Sequence, residues 1–193
     1  MEKHAEAQLS AIAMLRAKPS ESRFAQPIDF MLDEHMRQRA LCGLLDDLAL
    51  AGRIETEAVA AAFEFLKSDF GLHVLDEEED LFPLLRRRAS EDERFMDVLD
   101  ALSLEHTSLR VTVKRLIAGL EEVSRSKRYI ASAPDFKKLL QAFSASKRRH
   151  LVVENAIVIP LARASLMTTD ISVLGRRMAA RRAIIIGNSD NAD

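Results

Sequence analysis

The sequence predicts an all-α fold, an antiparallel up-down-up-down four-helix bundle with short helices at its N- and C-terminal ends. Three observations carry this. Four long stretches repeat apolar residues at three- and four-residue spacing, the period of a helix. The connections between them are short, which favours antiparallel neighbours. The 193 residues include six Gly, five Pro and no Trp, and they are rich in the good helix formers Ala, Leu, Glu and Arg. With 48 % hydrophobic residues, a chain of this length can bury one sizeable core.

In order along the chain, residues 4–17 form a short amphipathic helix, with Leu9, Ile12, Ala13 and Leu15 loosely on one side. Pro19 and the run from Ser20 to Pro27 break it, so residues 1–26 are read as an N-terminal helix and linker. The bundle is expected over residues 27–165. Its first helix starts at Pro27 and runs to about Ala51, with Gly52 as C-cap. The stripe is Ile28, Met31, Leu32, His35, Cys42, Leu45 and Leu48. Thr56 opens the second helix, which runs to about Arg88 on a stripe of Val59, Phe63, Leu66, Phe70, His73, Glu77, Leu81 and Leu84. Gly71 and Pro83 are its expected bending points.

Ser90, followed by Glu91, Asp92 and Glu93, reads as the cap and acidic first turn of the third helix. That helix carries Phe95, Val98, Leu99, Leu102, His106, Leu109, Val113, Leu116 and Leu120, and ends near Ser126. Ser132-Ala133-Pro134-Asp135 opens the fourth, whose inward face is Phe136, Leu140, Phe143, His150, Glu154, Ile157 and Leu161. Residues 166–193 form a last helix, opened by Thr168 or Thr169 and reaching about Ile185, and then a tail expected to fray.

The composition excludes several classes. With 28 basic and 30 acidic residues there is no global field to draw the chain to nucleic acid. Cys42 is the only cysteine, so neither an intramolecular disulfide nor a cysteine-rich zinc site can form. The N-terminal residues lead into no apolar signal core, and no run of eighteen apolar residues occurs. The expectation is a soluble cytoplasmic protein with no nucleic-acid or membrane partner.

Four of the five histidines, His35, His73, His106 and His150, fall one per long helix, each on the apolar stripe. Their separations are 38, 33 and 44 residues (73−35, 106−73, 150−106), which in hairpin-connected helices return the chain to a similar height. Two of them open an identical spacing, His73 to Glu77 and His150 to Glu154. Residues four apart lie on one helix face, so an imidazole and a carboxylate at that spacing can reach one cation or a bridged pair. Burying these groups unpaired would cost several kcal/mol for each one ionised. A pair of cations removes that cost. Mixed nitrogen and oxygen donors suit iron, manganese or zinc, and six ligands shared by two metals leave open positions, as reactive iron requires.

At these residues the sequence resembles the hemerythrin-like (HHE cation-binding) family, whose motif H…HxxxE…H…HxxxE it reproduces over roughly residues 27–165. The resemblance implies a non-haem di-iron centre in the bundle core. His35 and His73 would serve one iron, and His106 and His150 the other. Glu77 and Glu154 would bridge them together with an oxo or hydroxo group. Ferritin-like di-iron proteins pair Glu and His at a different offset. Oxygen-carrying hemerythrins have a fifth histidine and an aspartate bridge; four histidines and two glutamates look closer to the iron-centre repair and nitrosative-stress branch. That branch carries an additional cysteine-containing N-terminal domain, where this chain has a short helix. The implied function is to bind, sense or react with a small diatomic or peroxide (O₂, NO, H₂O₂). The alternatives are an iron donor for iron–sulfur cluster repair and a metal-free helical interaction module.

The remaining polar residues are expected to be ordinary. Cys42 reads as a small buried hydrophobe and His4 as solvated. Arg39 reads as a surface ion pair. Glu34 and Glu105 each precede a candidate ligand and so point about 100° away from it. Asp76, Glu78, Glu79 and Asp80 read as a solvated acidic face, and the pairs Arg176-Arg177 and Arg181-Arg182 as a solvated basic one.

Overall fold

A computed structural model describes residues 2–52, 55–89, 92–126, 130 and 133–183. The expected caps Ser90 and Ser132, the side chain of His4, Tyr129 and everything beyond residue 183 lie outside the described residues. Among those described there is no strand. The four bundle arms are α2 (Pro27–Leu50), a second arm over 56–88, α6 (Glu93–Ser126), and a fourth arm over 134–165. No described helix is long and apolar enough to cross a membrane.

The second and fourth arms are not single α-helices. The second runs through α3 (Thr56–Lys67), α4 (Asp69–Leu75), a π-helical segment Asp76–Leu81 and α5 (Phe82–Arg88). The fourth runs through α7 (Pro134–Val153), a π segment Glu154–Val158 and α8 (Ile159–Ser165). A proline at the second residue of the helix that follows, Pro83 or Pro160, explains both. Its missing N–H leaves a carbonyl four residues back without a partner, and a widened turn absorbs the defect. The expected bend near Pro83 is thus a π segment. In the fourth arm it also slips the helical phase. Ile157, expected to face inward, is 40 % exposed, while Val158 is 1 % exposed.

Two further helices close the ends. In α1 (Glu2–Arg16), Ile12 and Leu15 are buried in the core, while Leu9 and Ala13 stay exposed. The buried Arg37 of α2 fastens this helix by donating to the C-terminal carbonyls of Met14 (3.2 Å) and Leu15 (2.6 Å). Arg37 also pairs with Glu34 and Asp69, so Glu34 is a buried anchor, away from the candidate ligands. At the other end, α9 (Thr168–Arg181) buries Leu174, Gly175, Met178 and Ala179. Gly175 is required there: a Cβ would lie 2.0 Å from the carbonyl oxygen of Phe24.

The core has two apolar clusters. One gathers Leu41, Leu44, Leu45, Phe65, Phe70, Leu116, Leu120, Leu140 and Phe143. The other gathers Phe24, Phe30, Met31, Leu81, Phe82, Leu99, Leu102, Val158 and Met178. On every arm the candidate ligands fall between residues of the first cluster and residues of the second: His35 between Met31 and Leu41, His106 between Leu102 and Leu116. A buried polar layer therefore divides the hydrocarbon.

Candidate metal centre

All six residues singled out by spacing converge on that layer, and all are buried: His35, His73 and Glu77 are each 1 % exposed, His106 2 %, His150 4 % and Glu154 0 %. Two sets of ligand atoms form, each mutually within 4.8 Å. One is His35, His73, Glu77 and Glu154; the other is Glu77, His106, His150 and Glu154. Each glutamate turns one oxygen to each histidine pair. Glu77 presents Oε1 to His73 Nε2 (3.2 Å) and His35 Nε2 (3.7 Å), and Oε2 to His106 Nε2 (3.3 Å). Glu154 presents Oε2 to His35 Nε2 (3.6 Å), and Oε1 to His150 Nε2 (2.7 Å) and His106 Nε2 (3.9 Å).

The outward nitrogens of three histidines are fixed by neighbours. Nδ1 of His35 donates to the side-chain oxygen of Asn155 (2.7 Å), that of His106 to Glu78 (2.6 Å), and that of His150 to Glu105 (2.6 Å). A carboxylate or amide oxygen can only accept, so the proton sits on Nδ1 and the Nε2 lone pair faces inward. Glu78 is itself held by the Ser103 hydroxyl at 3.0 Å. None of these three orienting groups was legible as such in the sequence. Glu105 does point away from His106, as expected, but it reaches His150 on the neighbouring helix.

Inside the ring, His35 Nε2, His73 Nε2, Glu77 Oε2 and both oxygens of Glu154 have no hydrogen-bond partner among the described residues. Nε2 of His106 and of His150 face each other at 3.0 Å. Buried lone pairs converging without donors are costly, and a cation is what they fit. In the metal-free chain the charges settle against one another. Burial would lower the His35 pKa, but the Glu77 and Glu154 carboxylates outweigh it and raise it; at His150, Glu154 and Glu105 do the same. Burial would raise Glu77, yet His73, His35 and His106 hold it well below the usual carboxylate range. Glu154 is lowered too, against burial and the charge of Glu77, by Lys147 and His150.

Of the acidic run beside Glu77, Glu79 is exposed as expected, but the rest is not a solvated face, and Glu78 is half-buried against His106. Asp76 and Asp80 are buried, and three arginines at the end of α9 reach them. Arg182 Nη2 donates to Asp76 (2.7 Å), Arg181 to Asp76 (2.9 Å), Glu79 (2.9 Å) and Asp80, and Arg177 to Asp80 (2.5 Å). The guanidinium of Arg182 also lies 4.7 Å over the ring of Phe30. Of the arginines expected in solvent, Arg181 and Arg182 are therefore mostly covered and bind the π segment that carries Glu77. Lys147 and Gln38, both buried beside the site, were also missed. Cys42 is buried as expected, and burial pushes its thiol up to about 11, leaving no thiolate for redox work at neutral pH.

The hemerythrin HHE cation-binding domain model matches residues 26–162, well over half of the chain. The chain belongs to the hemerythrin HHE cation-binding family. No curated protein matches it in sequence. Membership implies metal-ion binding, and all six clustered residues lie inside the matched span, whereas α9 with its arginines lies outside it.

Proposed function

We propose that this hemerythrin-family protein holds two iron ions and uses them to bind, sense or react with a small oxidant or diatomic (O₂, NO or peroxide) in oxidative or nitrosative stress in the cytoplasm. The observation that supports a dinuclear centre is that Glu77 and Glu154 each divide their two oxygens between the pair His35/His73 and the pair His106/His150. A mononuclear site would not need this splitting. In this reading His35 and His73 hold one iron, His106 and His150 the other, and both glutamates bridge. Bound iron would supply open coordination positions and one-electron chemistry. The protein's own part is to keep Nε2 lone pairs aimed inward through Asn155, Glu78 and Glu105, and to keep water out of a layer sealed by hydrocarbon above and below.

The test is metal content per chain after growth with added iron, with the absorption spectrum recorded before and after dithionite. The reading expects two irons and a near-ultraviolet band that dithionite bleaches. Glu77→Ala and Glu154→Ala should each abolish the band. One metal per chain, or two irons and an intact band in either variant, refutes it.

A further inference from the structure

A groove between the second arm and α6 has no part in the metal centre. Its volume is about 330 Å³, at the lower end for small-molecule sites. Helical spacing explains its walls. Leu66, Phe70 and Val74 recur every four residues on the second arm and are buried; Leu109 and Val113 of α6 are half-buried across from them. Gly71 leaves the space open, since a Cβ at its position would meet nothing within 4 Å. Along α6 the groove runs from His106 to Lys114, eight residues (114−106), or about 12 Å. Both nitrogens of His106 are engaged elsewhere, Nδ1 with Glu78 and Nε2 toward His150, so it offers the groove only ring carbon.

The charge on this groove is one-sided. Arg110 and Lys114, one turn apart on α6, both line it, and no aspartate or glutamate does. Neither has an ion pair or a hydrogen bond among the described residues. Arg37, Arg86 and Arg148, by contrast, each hold a carboxylate. A neutral apolar guest would leave both cations unused, and an inorganic anion would leave the apolar walls wet. An amphiphile satisfies both. Its alkyl chain would lie along the walls toward His106, and its carboxylate would accept from Arg110 and Lys114.

We propose that the groove binds a free medium-chain fatty carboxylate, with its head on Arg110 and Lys114 and its tail toward His106. The site stands apart from the iron reading, because it uses no nitrogen of His106. The test is calorimetric titration of the intact chain with octanoate, in wild type, in the double variant Arg110→Gln/Lys114→Gln and in Gly71→Leu. Octanol supplies the same tail without charge, and hexanoate a shorter tail. Octanoate should bind at one site per chain. Each methylene moved out of water is worth about fourfold in affinity, so hexanoate should bind roughly 10-fold more weakly. The double variant should weaken octanoate roughly 10-fold and leave octanol within about threefold, because only the head meets the cations. Gly71→Leu places a side chain in the groove from within a helix, so it should abolish binding of both while melting no lower than wild type.

Octanoate that never saturates overturns the proposal, as does octanoate binding that Gly71→Leu leaves intact. An octanoate constant unmoved in the double variant, or an equal loss of octanoate and octanol there, also overturns it, since the head would then lie elsewhere. A wild type that takes up no octanoate because a second copy covers the groove, seen as a dimer that Gly71→Leu dissociates, refutes it as well.

Discussion

Replacing Arg181 and Arg182 together by Met would strip Asp76 of both its cations. Asp76 is 0 % exposed, and its only ionic partners among the described residues are Arg181 at 2.9 Å and Arg182 at 2.7 Å. Asp80 would keep Arg177, whose side chain is 60 % exposed and contributes little. Breaking a buried pair by removing one side costs about 3–5 kcal/mol, because the remaining charge has no water to return to. For a chain of this size about 1 kcal/mol corresponds to 2–4 °C, so the metal-free double variant should melt roughly 10 °C below wild type. The assay is thermal unfolding by circular dichroism in chelator, at pH 7 and low salt. Adding Asp76→Asn in the same background should recover part of the loss, since an amide strands no charge. A shift of under about 3 °C, or no recovery with Asn, would show that these contacts are surface pairs and refute the account of α9 as an integral layer.

Gly175→Ala should undo the docking of α9 on a different ground. Its Cβ would meet a backbone carbonyl that cannot rotate away, so melting falls and proteolysis after residue 165 speeds up, whereas Gly71→Ala, inside a helix with open space around it, should leave proteolysis unchanged and raise melting by a few degrees. The pH dependence also has a defined sign. In the metal-free protein the raised His35 and His150 contribute stability that is complete below their unfolded value of about 6.5 and is lost as pH rises through their folded values. The lowered Glu77 and Glu154 contribute above about 4.5 and lose it as pH falls through their folded values. Metal-free protein should therefore be most stable in mildly acidic solution, between those two values. Metal needs neutral imidazole, so binding displaces those protons, and the gap in Tm between loaded and metal-free protein should widen from pH 6 to pH 8. A gap that narrows over that range contradicts the assigned charges.

The fold and the six clustered residues were legible because both depend on spacing within one helix. His73 and Glu77, or His150 and Glu154, share a face wherever a helix forms, and an apolar stripe says which way that face points. What stayed hidden depends on the rotation of one helix against another. Glu105 points away from its own neighbour His106 and lands on His150; Glu78 lands on His106; Asn155 lands on His35. No period along a single segment encodes those meetings. The ion-pair layer did leave a trace, since Asp76 and Asp80 are four apart and so are Arg177 and Arg181, two complementary stripes that read as solvent-facing charge when taken separately. The π segments left one too: each histidine–glutamate pair is followed, six residues after the glutamate, by proline.

The convergence of six side chains from four arms can also be seen as topology. Residues 35, 73, 106 and 150 close successive loops of 38, 33 and 44 residues (73−35, 106−73, 150−106). A cation held among them would act on the unfolded ensemble as a cross-link does, forbidding the open conformations of three long loops at once, each a matter of a few kcal/mol in chain entropy. A chain whose only cysteine is buried has no covalent way to gain that constraint. Such a tie comes undone in chelator and re-forms when metal returns, so the protein's resistance to unfolding would follow the supply of free metal.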